Sequence, residues 1–271
     1  MKNFRTCSFI TSPISPVQLR RGANIVAKAQ AGHVLLLTGS APYLGGPSTW
    51  KPLRDAASDL EFRDLDLLDI PPGSGSTAAI KQAIKAAAEG ASAIVAHGAV
   101  EATVLGAIED FRHSIPVLLL SPVAITRDSL RLRFLRTLVR GPLGKLIDSY
   151  AASKMSKLLK DYDYLRKQLA FVIQEDAITE ELLQEAQVRL ADARMEAFCA
   201  HTSGTLLAVL TPTGAFERFN GLALFGNSSM DRKARKRIPG TVLATAWSAP
   251  MIEAPKQVAE YLYTLLLKPT Q

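Results

Sequence analysis

The side chains of this sequence that could do covalent chemistry are serines, histidines and acids placed near short apolar runs. Attack on an acyl group needs a hydroxyl or thiol, a histidine base beside it and a carboxylate that orients the base. Three serines that could line one pocket and supply the hydroxyl are Ser40, Ser229 and Ser248. The chain has four histidines, His33, His97, His113 and His201. Ester or amide hydrolysis is therefore the first chemistry to test against the positions of these residues.

Other chemistries find less support in the sequence. Cys7 and Cys199 lie too far apart for a clustered metal site and are too few for a disulfide scaffold, which favours a reducing compartment. Gly73-Ser74-Gly75-Ser76 lacks the lysine of a P-loop and the glycine spacing of a dinucleotide site. No zinc spacing, aromatic RNA-binding motif or repeat accompanies the basic residues, so nucleic acid is a disfavoured partner. We predict no metal and no cofactor.

The order of apolar and amphipathic runs predicts an α/β domain. Near-continuous apolar strands separated by helices indicate a parallel sheet covered on both faces. Strands are predicted for Val34–Leu37, Phe62–Ile70, Ala91–Ala96, Ile115–Leu120, Leu222–Phe225 and Thr241–Thr245, and helices for Ala78–Glu89, Glu101–Phe111 and Pro255–Leu267. Residues 127–205 show helical periodicity without strand patterns and are predicted to be a helical insertion. The two halves beside the insertion must complete one sheet, since neither has enough strands alone.

Five motifs in order carry a resemblance to a known family. They are Thr38-Gly39-Ser40 with Ser48-Thr49-Trp50, then Asp69-Ile70-Pro71-Pro72-Gly73, Val95-Ala96-His97-Gly98-Ala99-Val100, Leu224-Phe225-Gly226 and Pro250-Met251-Ile252-Glu253-Ala254-Pro255. In the order and spacing of these motifs, residues 33–267 resemble the cap-containing, esterase- or lipase-like members of the α/β-hydrolase superfamily. The resemblance implies a parallel sheet of about six strands with a helical cap. The expected division is an arm at 1–31, a core at 32–125 and 206–271, and a cap at 126–205.

The resemblance also shows which residues stand where the family has its catalytic triad. Gly98 takes the nucleophile position of the G-x-S-x-G turn. Ser229 takes the position of the acid, although Asp231 lies two residues further on and could reach back. Ser248 takes the position of the histidine. All three triad roles are thus predicted to be vacant, which indicates that catalysis has been lost.

The oxyanion-binding part of the site depends on the main chain more than on side-chain identity. The remaining donors would be the backbone N–H groups of Ser40 and Ala99. A notch that binds an anion or a carbonyl group could therefore survive without chemistry. The sequence predicts a non-enzymatic binding or scaffold protein, with a hydrolase that uses a displaced serine as the alternative. A small apolar or acyl ligand under the cap is left open.

The basic charge is unevenly distributed along the chain. Residues 1–50 contain five bases and no acid, and the first 30 residues are rich in serine and threonine, which is typical of an organellar transit peptide. We expect a plastid location, with the mitochondrion as the alternative and a cytosolic arm as the third option.

A second basic stretch lies in the cap. Residues 127–167 carry eleven bases and four acids, whereas residues 175–196 carry seven acids and two arginines. Such runs usually form solvated helix faces. If the bases gather on one face, an acidic protein or a membrane surface is the expected partner.

Overall fold

The computed structural model describes residues 33–38, 44–60, 65–69, 77–97, 115–122, 130–192, 221–236 and 238–267. Its strands are β1 (Val34–Thr38), β2 (Leu65–Asp69), β3 (Ala93–His97), β4 (Val117–Leu120), β5 (Gly221–Phe225) and β6 (Thr241–Val242). The helices outside the insertion are α1 (Pro47–Ser58), α2 (Thr77–Ala88), α7 (Ser229–Ala234), α8 (Pro250–Glu253) and α9 (Pro255–Leu267). The helices of the insertion are α3 (Leu130–Arg140), α4 (Pro142–Lys160), α5 (Tyr162–Leu169) and α6 (Glu180–Asp192), with a 3₁₀ turn at Glu175–Ala177.

The six strands form one parallel sheet in the order β2-β1-β3-β4-β5-β6. The two halves of the chain meet where Val117 of β4 pairs with Gly221 of β5. This pairing confirms that the segments before and after the insertion complete a single sheet. The prediction of about six parallel strands is also confirmed.

The strands are buried because helices cover both faces of the sheet. Leu36 of β1 belongs to a core shared with α1, α9 and the cap, whereas its neighbour Leu37 belongs to a core shared with α2 and α7. Successive side chains of a strand point to opposite faces, so each strand contributes to both cores. The edge strand β2 is only partly buried, with Asp66 exposed.

Within the described residues 130–192 the insertion consists of helices joined by short turns, and no strand occurs there. Its inward face is apolar and joins the larger core through Met155, Leu165 and Leu183. Two helix boundaries of the insertion have a local cause. The carboxylate of Asp161 accepts a hydrogen bond from Tyr164 N at 2.8 Å, and Thr179 Oγ1 accepts one from Leu182 N at 3.2 Å, so that each residue caps the next helix.

Three helices were not predicted from the sequence. The first, α1, begins at Pro47 and contains Pro52, and these prolines obscure a helix that buries Trp50 and Leu53. The other two, α7 and α8, are short. The predicted helix at 101–111 and the arm at 1–31 lie outside the described residues. Among the helices that are described, none combines the length and the apolar character needed to cross a bilayer.

Candidate active site

The candidate site lies at the carboxyl edge of the sheet, where the segments that follow β3, β5 and β6 meet. His97 is the last residue of β3, Gly226 directly follows β5, and Trp247 and Ser248 follow β6. Ligands of open parallel sheets bind outside the carboxyl ends of their strands. The side chains on these three segments therefore decide what the site can do.

Gly226 allows two of these segments to touch. A Cβ atom added there would lie 1.8 Å from the carbonyl oxygen of Trp247, so only glycine fits. Two hydrogen bonds then join the segments, from Asn227 N to Ala246 O at 2.8 Å and from Ser228 N to Trp247 O at 3.2 Å. The loop after β5 is thus fixed against the loop after β6.

Asp231 is the buried carboxylate of the site and is 2% exposed. Its Oδ2 atom accepts hydrogen bonds from Ser228 Oγ at 2.9 Å and from Ser248 Oγ at 3.2 Å. Burial raises the pKa of Asp231, while the hydroxyls of Ser228, Ser121 and Ser248 and the N–H of Gly226 oppose the rise. Among the described residues, the buried Ser121 hydroxyl has no hydrogen bond of standard geometry. The carboxylate is held by neutral donors.

The sequence contained a local indication of this arrangement. Ser228 and Asp231 have the spacing of a capping box, in which the first residue caps a helix and the acid occupies its third position. Asp231 N donates to Ser228 Oγ at 3.1 Å, and the helix α7 begins at Ser229. This turn directs the Asp231 carboxylate into the site.

Two of the three predicted triad positions, Ser229 and Ser248, lie among the described residues, and their surroundings differ. Ser229 is exposed on the first turn of α7, whereas Ser248 is half-buried and contacts Asp231. The acid that faces the site is therefore Asp231, two residues beyond Ser229. Gly98, Ser40 and Ala99 lie outside the described residues.

His97 is buried, with 3% of its surface exposed, and stands beside Ser248. Its Nε2 atom lies 2.9 Å from the carbonyl oxygen of Ser248, which requires Nε2–H to be the donor. Burial lowers the pKa of His97, and the bond to Ser248 only partly opposes this. The imidazole is neutral at pH 7 and holds the main chain of Ser248.

A second carboxylate, that of the half-buried Glu253, organises the loop after β6 and was not singled out from the sequence. It accepts hydrogen bonds from the N–H groups of Trp247 at 2.6 Å, Ala249 at 3.1 Å and Gln174 at 2.6 Å. Burial raises the pKa of Glu253 and the nearby Asp231 adds to the rise, while the three N–H groups oppose it. Because Gln174 belongs to the insertion, Glu253 also links the cap to the site.

Further contacts fix the cap on this side. Trp247 Nε1 donates to Phe171 O at 3.1 Å, and Ser248 N donates to Val172 O at 3.2 Å. Ser248 is thereby held through its N–H, its carbonyl oxygen and its hydroxyl. Such a residue has a positioning role that is independent of any reaction.

The cap is attached to the other side of the site by charged groups. Arg189 of α6 forms an ion pair with Asp69 at the end of β2, with Nη2 at 2.9 Å from Oδ1. Glu185 of the same helix accepts a hydrogen bond from Ser48 N at 2.7 Å, at the start of α1. Gly46 leaves the space for this carboxylate, because a Cβ atom there would lie 2.2 Å from it.

Chemically, the described part of the site holds an acid and a serine with no imidazole between them. Even with its raised pKa, the Asp231 carboxylate is a weak base toward a serine hydroxyl, and it already accepts hydrogen bonds from two hydroxyl groups. Within the described ranges, no group of three or more histidine, cysteine or acidic side chains is arranged to hold a metal ion.

Comparison with known proteins gives a match in structure but not in sequence. No family model and no curated protein matches the chain. A serine hydrolase from the polyaromatic-hydrocarbon-degrading bacterium Cycloclasticus zankles superposes with a TM-score of 0.55 at 15% identity, covering 87% of this chain and 89% of the other. The Cif epoxide hydrolase from Acinetobacter nosocomialis gives a TM-score of 0.55 at 11% identity, covering 97% and 100%.

A third match is a hydrolase from Oleispira antarctica, with a TM-score of 0.52 at 12% identity over 87% of this chain and 92% of the other. The sheet order, the helical insertion at the carboxyl edge and these matches define one class of protein. The chain has the fold of the α/β-hydrolase superfamily, with a helical cap insertion. At such low identity the matches establish the fold alone.

Proposed function

We propose that this chain is a catalytically degenerate α/β-hydrolase-fold protein that acts as a non-enzymatic binding or scaffold protein. The observation that carries the proposal is the hydrogen bond from Ser248 Oγ to Asp231 Oδ2. In the family pattern the residue at the position of Ser248 is the histidine that moves the proton. Here the buried Asp231 carboxylate accepts a hydrogen bond from a serine hydroxyl instead, and Gly98 stands at the nucleophile position in the sequence.

The neighbouring histidine does not compensate for this change. His97 donates to the Ser248 carbonyl group and has a lowered pKa, so it serves the main chain and does not collect protons at neutral pH. Loss of the nucleophile alone in a triad enzyme costs roughly six orders of magnitude in kcat. We also propose that a small apolar or acyl ligand binds under the cap.

The alternative is a hydrolase with a displaced serine nucleophile. Ser248 is the best placed of the candidates because it contacts a carboxylate, whereas Ser229 is exposed. A fluorophosphonate probe on the full-length protein, followed by intact mass measurement, separates the two functions. We expect no adduct. Stoichiometric labelling that disappears in Ser248→Ala would establish the hydrolase instead.

We also propose that the protein works in an organelle, with the plastid as the first expectation and the mitochondrion as the second. The support is the absence of acids among residues 1–50 together with the hydroxyl-rich first 30 residues. Fusion of residues 1–40 to a fluorescent protein tests this proposal. A diffuse cytosolic signal would contradict it.

A further inference from the structure

The outer part of the cap carries an unusual concentration of exposed apolar side chains. We call the helices α3 and α4, which pack against one another, the cap hairpin. Nine large apolar side chains are exposed in the described part of the protein, and five of them belong to residues 130–150 of the cap hairpin. These five are Leu130, Phe134, Leu143, Leu146 and Tyr150. Surface apolar residues are normally scattered singly, so this cluster requires an explanation.

The helical spacing shows that these side chains point away from the core. On α4, Leu146 and Tyr150 are four residues apart and are 66% and 64% exposed. The core-facing positions of the same helix are Ala151, Met155 and Leu158, which are buried. On α3, Leu130 and Phe134 are likewise four residues apart, while Val139 is buried. Both helices thus have an apolar stripe on a face that the other described segments leave open.

The same surface is strongly basic. Residues 130–160 contain eight bases and one acid, a net charge equal to the +7 of the whole chain. Among the bases on α4, Lys145, Lys157 and Lys160 are exposed. Lys157 lies on the same exposed face of α4 as Leu146 and Tyr150, because it follows Tyr150 by about two helical turns. Apolar and cationic side chains therefore occur on one surface.

This charge restricts what can cover the cap hairpin. A second copy would bring two +7 surfaces together, and the arm before β1 is itself basic, with five bases and no acid in residues 1–50. Both arrangements bring like charges into contact. The occupant must be anionic and must accept separate apolar side chains along two helices.

We propose that the cap hairpin docks the protein on an anionic membrane surface. Leucine and aromatic side chains interleaved with lysine and arginine on a helix are the composition of segments that lie in the membrane interface. Acyl chains can accommodate each apolar side chain separately, whereas a protein partner needs a matching pocket for each one. Docking is peripheral, and it does not depend on whether the site under the cap binds a ligand or catalyses a reaction.

The first test varies charge. The full-length chain is sedimented with vesicles of phosphatidylcholine alone or with about 30% phosphatidylglycerol, at salt near 0.1 M. The variant Lys145→Gln/Lys157→Gln is compared with Lys233→Gln/Lys256→Gln, a control that removes two exposed lysines elsewhere. We expect binding to the anionic vesicles only, and a loss of about fivefold per lysine removed from the cap hairpin. The arm is present in all variants and contributes equally to each.

The second test varies the apolar side chains. Phe134→Ala/Leu146→Ala is compared with Phe171→Ala/Val188→Ala, which removes exposed apolar side chains from other segments. We expect about tenfold weaker binding for the cap-hairpin pair and unchanged binding for the control. All four residues are exposed, so thermal midpoints close to that of the wild type should verify the fold.

Three results would overturn the proposal. The first is no association of the wild type with anionic vesicles, which would favour an acidic protein as the partner. The second is equal binding to neutral and anionic vesicles. The third is an equal effect of the cap-hairpin variants and their controls.

Discussion

The two sides of the candidate site are fixed by different kinds of interaction. On the side of β1 and β2, the cap is held by charged groups, with Arg189 paired to Asp69 and Glu185 on Ser48 N. On the side of β5 and β6, the carboxylates of Asp231 and Glu253 receive hydroxyl and N–H donors that carry no charge. The comparison indicates that the first side depends on an ion pair and the second on packing and neutral hydrogen bonds.

This difference also bears on function. The side of β5 and β6 is where the superfamily has its acid and its base, and here every polar atom of Ser248 contributes to holding the loop. A residue whose polar atoms are all hydrogen-bonded without a ligand has a structural role already. Substitutions on the two sides should therefore affect stability in different ways.

The largest effect is expected from Gly226→Ala. The added Cβ would meet the Trp247 carbonyl group, which is backbone and cannot rotate away, so the loops after β5 and β6 must separate. We expect a loss of about 3 kcal/mol or more in the free energy of unfolding, measured by urea denaturation. Gly90→Ala is the control, because Gly90 has a positive φ but an added Cβ meets nothing within 4 Å. Gly226 itself has no positive φ, so a loss from Gly226→Ala no larger than that from Gly90→Ala would contradict the role given to the contact with Trp247.

The next effect is expected from Arg189→Met on the other side of the site. Asp69 is 33% exposed and the Arg189 side chain 16%, so breaking the pair leaves a half-buried carboxylate without its cation. We expect a loss of about 2 kcal/mol that is reduced when Asp69→Asn is present as well. Lys51→Gln removes the exposed Lys51–Glu181 pair at 2.8 Å and should have no measurable effect. Additive losses from Arg189→Met and Asp69→Asn would contradict this account of the pair.

The smallest expected effect is a pH dependence of the free energy of unfolding that comes from the side of β5 and β6. Because burial raises the pKa of Asp231 and Glu253, the folded state binds more protons than the unfolded state between about pH 4 and these raised pKa values. The stability contributed by these groups is present at low pH and is lost as the pH rises through their raised pKa values. Asp231→Asn/Glu253→Gln should flatten this decline, as measured by urea unfolding at several pH values. A steeper decline in the double variant would contradict the assignment.

The sheet could be predicted from sequence because its central strands are short, continuous apolar runs. Val34 to Leu37 and Ile115 to Leu120 need burial on both faces, and only a covered parallel sheet provides it. The helix α1 could not be predicted in the same way. Pro47 and Pro52 normally favour a loop, and α1 forms because Pro47 occupies its first turn and Trp50 and Leu53 are buried in the core.

The site could be predicted only in part. The motif spacing predicted that Ser229 stands at the position of the acid. In the structure Ser228 is the N-terminal capping residue of α7, and the turn that it forms directs Asp231 toward Ser248. Glu253 could not be assigned from sequence, because its donors Gln174 and Trp247 come from separate segments that meet only in the fold.

The most direct test of the central claim, catalytic degeneracy, is the rate of simple ester hydrolysis by four full-length proteins. These are the wild type, Gly98→Ser, Ser248→Ala and Gly98→Ser/Ser248→His. We predict the buffer rate for the first three, because a serine without a base stays protonated, and a weak rate above buffer for the last, in which Asp231 can orient the new histidine. Hydrolysis by the wild type that is abolished in Ser248→Ala, or efficient hydrolysis by Gly98→Ser alone, would contradict the account.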